Sequence, residues 1–314
     1  MSKKVCFATP TITKPHPKML DSMEAEVPFM QKAGLEEVWV WEVGHAYVSY
    51  ARTALLRKAL RWFGEDDGCI VYVDHDVEWR PGDLTRLATT PGDVVAGTYR
   101  LKSPQEEYMG RLDKLENDPI PAVNHFGCLP AFLVPAGFLK ITRNAVEQIV
   151  RHYPHLNFSR DQKDGDHFYD LFNHGVINNT WFGEDYAFSL RWKLMKNPIW
   201  LVPDLQIDHW GKDAEGRPKS YKGNFAEYLA KEENREAEIR KGQIQYVTDN
   251  VTAAEGIAIS GNDGPLVSTS RQVEDAKGTE NPDGSFMDRG VYVPSDSAFA
   301  GNGAGRGDPV SAGV

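Results

Sequence analysis

The run Gly68-Cys69-Ile70-Val71-Tyr72-Val73-Asp74-His75-Asp76 constrains this chain more than any other stretch. Its apolar part is short and rich in β-branched and aromatic side chains, which reads as a buried strand. It ends abruptly in two carboxylates one residue apart. In an extended backbone alternate side chains share a face, so Asp74 and Asp76 are expected to point at one object. Paired oxygen ligands at the mouth of a sheet suit a hard divalent cation such as Mg²⁺ or Mn²⁺. A cation of that kind commonly holds phosphates, and the run therefore predicts metal-assisted chemistry on a phosphorylated substrate.

The rest of the chain has the material to build a domain around that strand. It is 314 residues long, 41% hydrophobic and carries eight tryptophans. The formal net charge of −10 argues against nonspecific affinity for nucleic acid or anionic membrane, which reward basic surfaces. The best candidate for a local basic strip is Arg52, Arg57, Lys58 and Arg61, whose simpler explanation is a solvated helix face. The three cysteines, Cys6, Cys69 and Cys128, lie far apart and show no zinc-type spacing. They are expected as small buried hydrophobes in a reducing compartment. The first ten residues have too little apolar length for a signal peptide, and no later segment is expected to span a bilayer. The expected location is cytoplasmic, the host cytoplasm for a viral chain.

Periodicity predicts a strand over 5–9, a helix over 17–33, a strand over 38–43 and an amphipathic helix over 50–63 before the Asp74/Asp76 strand. A turn at Pro81-Gly82-Asp83, a short helix and a strand over 93–99 follow. Residues 101–128 read as a long loop, a common form for a substrate lid. Apolar segments flank the turn Pro135-Ala136-Gly137, and a helix is expected over 144–152. Residues 154–180 are polar and poorly periodic. A helix opens at Gly183-Glu184-Asp185 with Ala187, Leu190, Leu194 and Met195 as its buried face, and a late strand over 199–202 leads to Asp208-His209-Trp210-Gly211. A charged helix is expected over 224–240. Strands alternating with helices imply an α/β fold with a mostly parallel central sheet flanked by helices. One domain is expected over 1–245. The Gly/Ser-rich acidic tail, 246–314, lacks the apolar residues needed to offset chain entropy and is expected to be disordered.

Four short pieces carry chemistry: Asp74-His75-Asp76, Gly183-Glu184-Asp185, Asp208-His209-Trp210-Gly211 and Tyr50-Ala51-Arg52. Each has a plain explanation alone. Acidic residues are favoured at helix starts, a lone histidine is more often a satisfied polar residue than a ligand, and Arg52 could be a surface charge. In this order, however, the sequence resembles nucleotide-sugar glycosyltransferases of the GT-A fold, family 2 type. The similarity runs from Val5 to about Phe225. It takes in Val73-Asp74-His75-Asp76 as the Asp-x-Asp motif, the segment from Val95 to Lys102 and that from Pro135 to Arg143. Phe182-Gly183-Glu184-Asp185-Tyr186-Ala187-Phe188 and His209-Trp210-Gly211 complete the series.

The resemblance implies a single GT-A-like domain that moves a sugar from a nucleoside-diphosphate donor, a UDP-sugar first, to an acceptor hydroxyl with inversion. Asp74 and Asp76 would position Mn²⁺ or Mg²⁺ against the diphosphate. His209 would be a further ligand, which tips the choice toward Mn²⁺. Thr9, Pro10 and Thr11 would meet the nucleoside, and Arg52 the base or phosphates. Asp185 would take the acceptor proton, with Glu184 binding acceptor or donor sugar. Trp181 and Trp210 offer rings for sugar stacking or for the core. His75 stands where the family often has a small residue. The acceptor could be a glycan, a lipid-linked sugar, a protein or, since compact enzymes of this type occur in bacteria and their viruses, a hydroxylated DNA base. Two other classes compete. A phosphohydrolase of the haloacid dehalogenase type also uses Asp-x-Asp, but on its first strand, whereas two β–α units precede Asp74. A non-catalytic binding or virion-associated module is suggested by the tail, expected to be flexible, and its Arg306-Gly307-Asp308, a tripeptide that arises easily by chance in Gly- and Asp-rich sequence.

Overall fold

The computed structural model describes residues 3–113, 123–159, 167–177, 179–231 and 233–238. Its first part is two β–α–β crossovers: β1 (Lys3–Thr11), α1 (Pro17–Lys32), β2 (Leu35–Val43), α2 (Val48–Phe63) and β3 (Gly68–Val73). β1 pairs in parallel with both β2 and β3. Next come β4 (Val77–Trp79), α3 (Asp83–Thr89), β5 (Val94–Ala96), β6 (Arg111–Leu112), β7 (Leu129–Leu133), β8 (Phe138–Thr142) and α4 (Arg143–His152). Two antiparallel ribbons, β9 (Asn157–Ser159) with β10 (His167–Tyr169) and β11 (Gly175–Ile177) with β12 (Thr180–Phe182), precede α5 (Glu184–Leu194). Then follow β13 (Ile199–Leu201), β14 (Ile207–Lys212), β15 (Pro218–Tyr221) and α6 (Phe225–Ala230).

The central sheet has eight strands in the order β2-β1-β3-β8-β5-β13-β7-β6. Six run one way, while β7 and β8 run against them, so the sheet is mixed in pairing although most strands share a direction. β8 is wedged between β3 and β5, placing Ile141 beside both Ile70 and Val94. Because β3 and β5 are each antiparallel to β8, their carboxyl ends open on one edge, together with that of β1. Ligands of open α/β sheets bind beyond such ends.

Both sheet faces are covered. Along β3, Ile70 and Tyr72 join the core that holds Leu55, Ile149 and Trp192, whereas Cys69, Val71 and Val73 join that of Met19, Met30 and Leu87. Each such apolar side chain contributes roughly 1.5–3 kcal/mol when fully buried. Below the second face, Glu26 of α1 is fully buried and satisfied: it accepts from Trp79 Nε1, the backbone N–H of Gly82 and Thr85, and the Thr85 hydroxyl. This carboxylate ties α1 to the start of α3 and to β4, and so fixes the chain that leaves Asp76. The antiparallel sheet β15-β14-β4 flanks the same edge.

Several expectations need correction. The buried face of α5 is Ala187, Phe188, Ser189, Arg191 and Trp192, and Leu194 is exposed, because both the sheet and the segment ending in Asn173 claim that side. The expected helix over 224–240 breaks after Ala230, where Lys231 is extended, and resumes over 233–238. The expected loop over 101–128 holds β6 and a bridge between Arg100 and Tyr108, while 114–122 lies outside the described residues. The tail expected over 246–314, with the boundary at 245, also lies outside them. All three cysteines are buried, and none is in a disulfide among the described residues. Among the described residues no helix is long and apolar enough to cross a membrane.

Candidate active site

β3 stops at Val73, and Asp74-His75-Asp76 turns into β4 with the Val77 N–H directed at the Asp74 carbonyl (3.4 Å). The turn is pinned from three sides: Asp74 N–H donates to the Gly137 carbonyl (2.9 Å), His16 N–H to that of His75 (2.7 Å) and Trp210 N–H to that of Asp76 (2.7 Å). The extended geometry expected for the two aspartates therefore does not hold. Their carboxyl groups part to different partners, although both line one cleft.

Asp74 belongs to a buried clamp. Arg52 Nη2 lies 2.9 Å from Asp74 Oδ1, and its Nη1 lies 2.5 Å from Glu184 Oε1, so one guanidinium joins the turn after β3 to the start of α5. Arg52 is only 3% exposed and sits 5.5 Å from the Phe172 ring. Burial works against its charge, but Asp74 and Glu184 outweigh that and raise its pKa further. Tyr99 Oη stands 3.4 Å from the other Asp74 oxygen. A Cβ at position 137 would collide with the Tyr99 hydroxyl and the Asp74 carboxyl, which explains the glycine there.

Asp76 faces a different set. His209, on β14, has Nδ1 2.9 Å from the Arg100 carbonyl. A carbonyl only accepts, so Nδ1 carries the proton and, in neutral imidazole, Nε2 presents a lone pair. That Nε2 is 3.7 Å from Asp76 Oδ1. This is too long for a hydrogen bond, but two ligand bonds of about 2.1 Å can span it. Lys102 Nζ pairs with the other oxygen, Oδ2. Burial alone would push the Asp76 carboxyl up, yet His209 and Lys102 hold it below the ordinary carboxylate range. The donor types and spacing of Asp76 and His209 thus fit a hard or borderline divalent ion. Asp74 does not join them, and among the described residues no group of three or more His, Cys, Asp or Glu is gathered for a metal.

Asp185 completes the cleft. It sits in the first turn of α5, where its Oδ1 accepts the Tyr186 N–H (2.8 Å). Burial, aided by the Glu184 charge and opposed by Arg52, pushes its pKa up to about 6. From the end of β1, Pro10 and Thr11 line the cleft, whereas Thr9 is fully buried and does not. The Thr11 hydroxyl is buried without a hydrogen-bond partner among the described residues. The cavity measures ≈ 280 Å³, at the small end for a ligand pocket (about 300–1,000 Å³), and the exposed side chains of Ile12 and Val48 form part of its lining.

No protein-family model matches this chain, and no curated protein matches it. Among solved structures it is similar to A197 from STIV, with a TM-score of 0.40 and 16% identity over 69% of this chain and 93% of that one. It is also similar to a glycosyltransferase involved in the glycosylation of the major capsid of PBCV-1, with a TM-score of 0.28 and 10% identity over 48% of this chain and 66% of that one. Both likenesses are coarse in fold and distant in sequence.

Of the residues singled out from sequence, Pro10, Thr11, Arg52, Asp74, Asp76, Glu184, Asp185 and His209 meet in that cleft, and Thr9 lies behind it. His75 also lines it rather than pointing into the core. Trp181 is 66% exposed on β12, outside the lining of the cleft, while Trp210 stacks on His16 and donates to Glu78 (2.7 Å). Sequence reading assigned no role to Tyr99 and Lys102, which touch the two aspartates. The available signal was their position just after β5, whose end must open on the same edge as β3.

Proposed function

We propose that the chain is a metal-dependent glycosyltransferase of GT-A type, transferring a sugar from a nucleoside-diphosphate donor, a UDP-sugar first, to an acceptor hydroxyl with inversion. The observation that carries this reading is the convergence of Arg52, Asp74, Asp76, Glu184, Asp185 and His209, from four separate elements and turns, on one cleft at the carboxyl edge of the sheet.

Asp76 and His209 would hold the metal. Two protein ligands suffice for Mg²⁺ or Mn²⁺ when substrate phosphates supply others. The bound metal would supply Lewis-acid stabilisation of the departing diphosphate. Arg52 fixes Asp74 and Glu184 as a rigid pair, which leaves the second Glu184 oxygen for a sugar hydroxyl. Asp185 takes the acceptor proton as the acceptor oxygen bonds to the anomeric carbon and the bond to the diphosphate breaks. A carboxylate with a pKa near 6 is ionised at neutral pH yet more basic than an ordinary one, as a general base needs. The buried, unpartnered Thr11 hydroxyl offers a hydrogen bond to the nucleoside. The acceptor class stays open among glycan, lipid-linked sugar, protein and hydroxylated DNA base. The phosphohydrolase alternative needs Asp74 free as a nucleophile, and the Arg52 and Tyr99 contacts speak against it.

The test is a screen of UDP-, GDP- and CDP-sugars with Mn²⁺ for slow donor hydrolysis. One donor class should be hydrolysed, with the rate abolished by chelator. Absence of hydrolysis and of thermal stabilisation with every donor would count against the reading.

A further inference from the structure

We infer that Lys102 is the resident cation of the Asp76–His209 pair and competes with the divalent metal for it, so that metal and nucleoside diphosphate bind cooperatively. The inference deepens the reading above and rests on it.

The Lys102 ammonium is paired with Asp76 Oδ2, and His209 Nε2 faces Oδ1 of the same carboxylate. That carboxylate already carries a positive partner, so a metal gains less from it while the lysine stays. The lysine also has a prepared bed. A Cβ on Gly211 would stand 2.7 Å from Lys102 Cδ and 3.2 Å from Cε, so the stem lies directly on bare backbone. One segment of β14 therefore provides His209 as a ligand and, two residues on, the surface on which the competitor rests. Lys102 is finally free to leave: its side chain is 35% exposed and it follows β5 in irregular chain rather than in a helix or strand. An arriving diphosphate offers the ammonium a second anion beside the cleft. Departure of the lysine and arrival of the metal are then coupled, and each ligand raises the affinity of the other by the same factor.

The experiment measures Mn²⁺ affinity on the full chain, by calorimetry and by the free-ion EPR signal, with and without UDP. The wild type should bind Mn²⁺ weakly alone and about tenfold more tightly with UDP, the scale of one charged hydrogen bond. Lys102→Met should bind Mn²⁺ about tenfold more tightly than wild type without UDP, and the enhancement by UDP should largely vanish. Gly211→Ala, which displaces the lysine stem while keeping its charge, should move in the same direction by less. Equal Mn²⁺ affinity in wild type and Lys102→Met, abolished by Asp76→Asn, overturns the inference and leaves the metal site standing. Mn²⁺ bound by neither protein, with or without UDP, overturns both.

Discussion

Asp74 and Asp76 are one residue apart and line one cleft, yet the two halves of that cleft differ in kind. Asp74 is held by a buried guanidinium that also holds Glu184, with Tyr99 on its other oxygen. Asp76 meets an imidazole at 3.7 Å and a lysine that reaches in from partly exposed chain. The first half is a fixed clamp: both partners of its buried charge are present, and removing one leaves the other unpaired in a poor solvent. The second half is more open, with the Lys102 side chain 35% exposed, and under the inference above its cation would give way to a metal. Arginine and lysine are divided accordingly, the planar fork where two carboxylates are joined and the flexible point charge where a single carboxylate is met.

Breaking the clamp should have the largest effect on the fold. Arg52→Met strands Asp74, Glu184 and Asp185 against one another and should cost about 3–5 kcal/mol in a denaturant melt. A loss below 1 kcal/mol would show that the clamp is not structural. Asp185→Asn should instead spare the fold and lower turnover by about 10²–10⁴. In the wild type, kcat/KM should fall as pH drops through about 6, where Asp185 takes up its proton. The folded-state pKa is raised, so the charged form is the destabilising one. Asp185→Asn should therefore gain stability near pH 7, on the order of 2 kcal/mol, and that gain should fade as the pH falls toward 4. An acid limb unmoved from the ordinary carboxylate range would remove Asp185 from the role of base. Gly137→Ala tests the clamp more gently. The added methyl pushes on Tyr99 and Asp74 and should cost about 1–3 kcal/mol, read by thermal melt, with a matching loss of donor turnover. Trp181→Ala should leave stability within about 0.5 kcal/mol and change only acceptor KM; a large stability loss would place its ring in the core instead.

Sequence made the clamp's ingredients legible but not the division between its halves. The apolar runs of β1, β2 and β3 and the stripe of α2 announce themselves, because strand and helix periods are local. The insertion of β8 between β3 and β5 does not, since it depends on pairing Ile70 with Ile141, far along the chain. The turn after Val73 was missed for the same reason: the groups that bend it, the Gly137 carbonyl and the Trp210 N–H, come from other elements. Two aspartates that look equivalent in an Asp-x-Asp pattern thus have different side-chain partners. Tyr99 and Lys102 had no pattern of their own, and only the direction of β5 brings them to the aspartates. The polar stretch over 154–180 hides two short ribbons whose strands are too brief for periodicity to register.

The proposed transfer requires Asp76 and His209 to grip a cation that in turn grips a diphosphate. Calorimetric titration of UDP into the wild-type protein and into Asp76→Asn, each with Mn²⁺ and with excess chelator, addresses this directly. UDP should bind the wild type measurably only with Mn²⁺, and that dependence should disappear in the variant. UDP binding of equal strength in all four conditions, or in none, would contradict it.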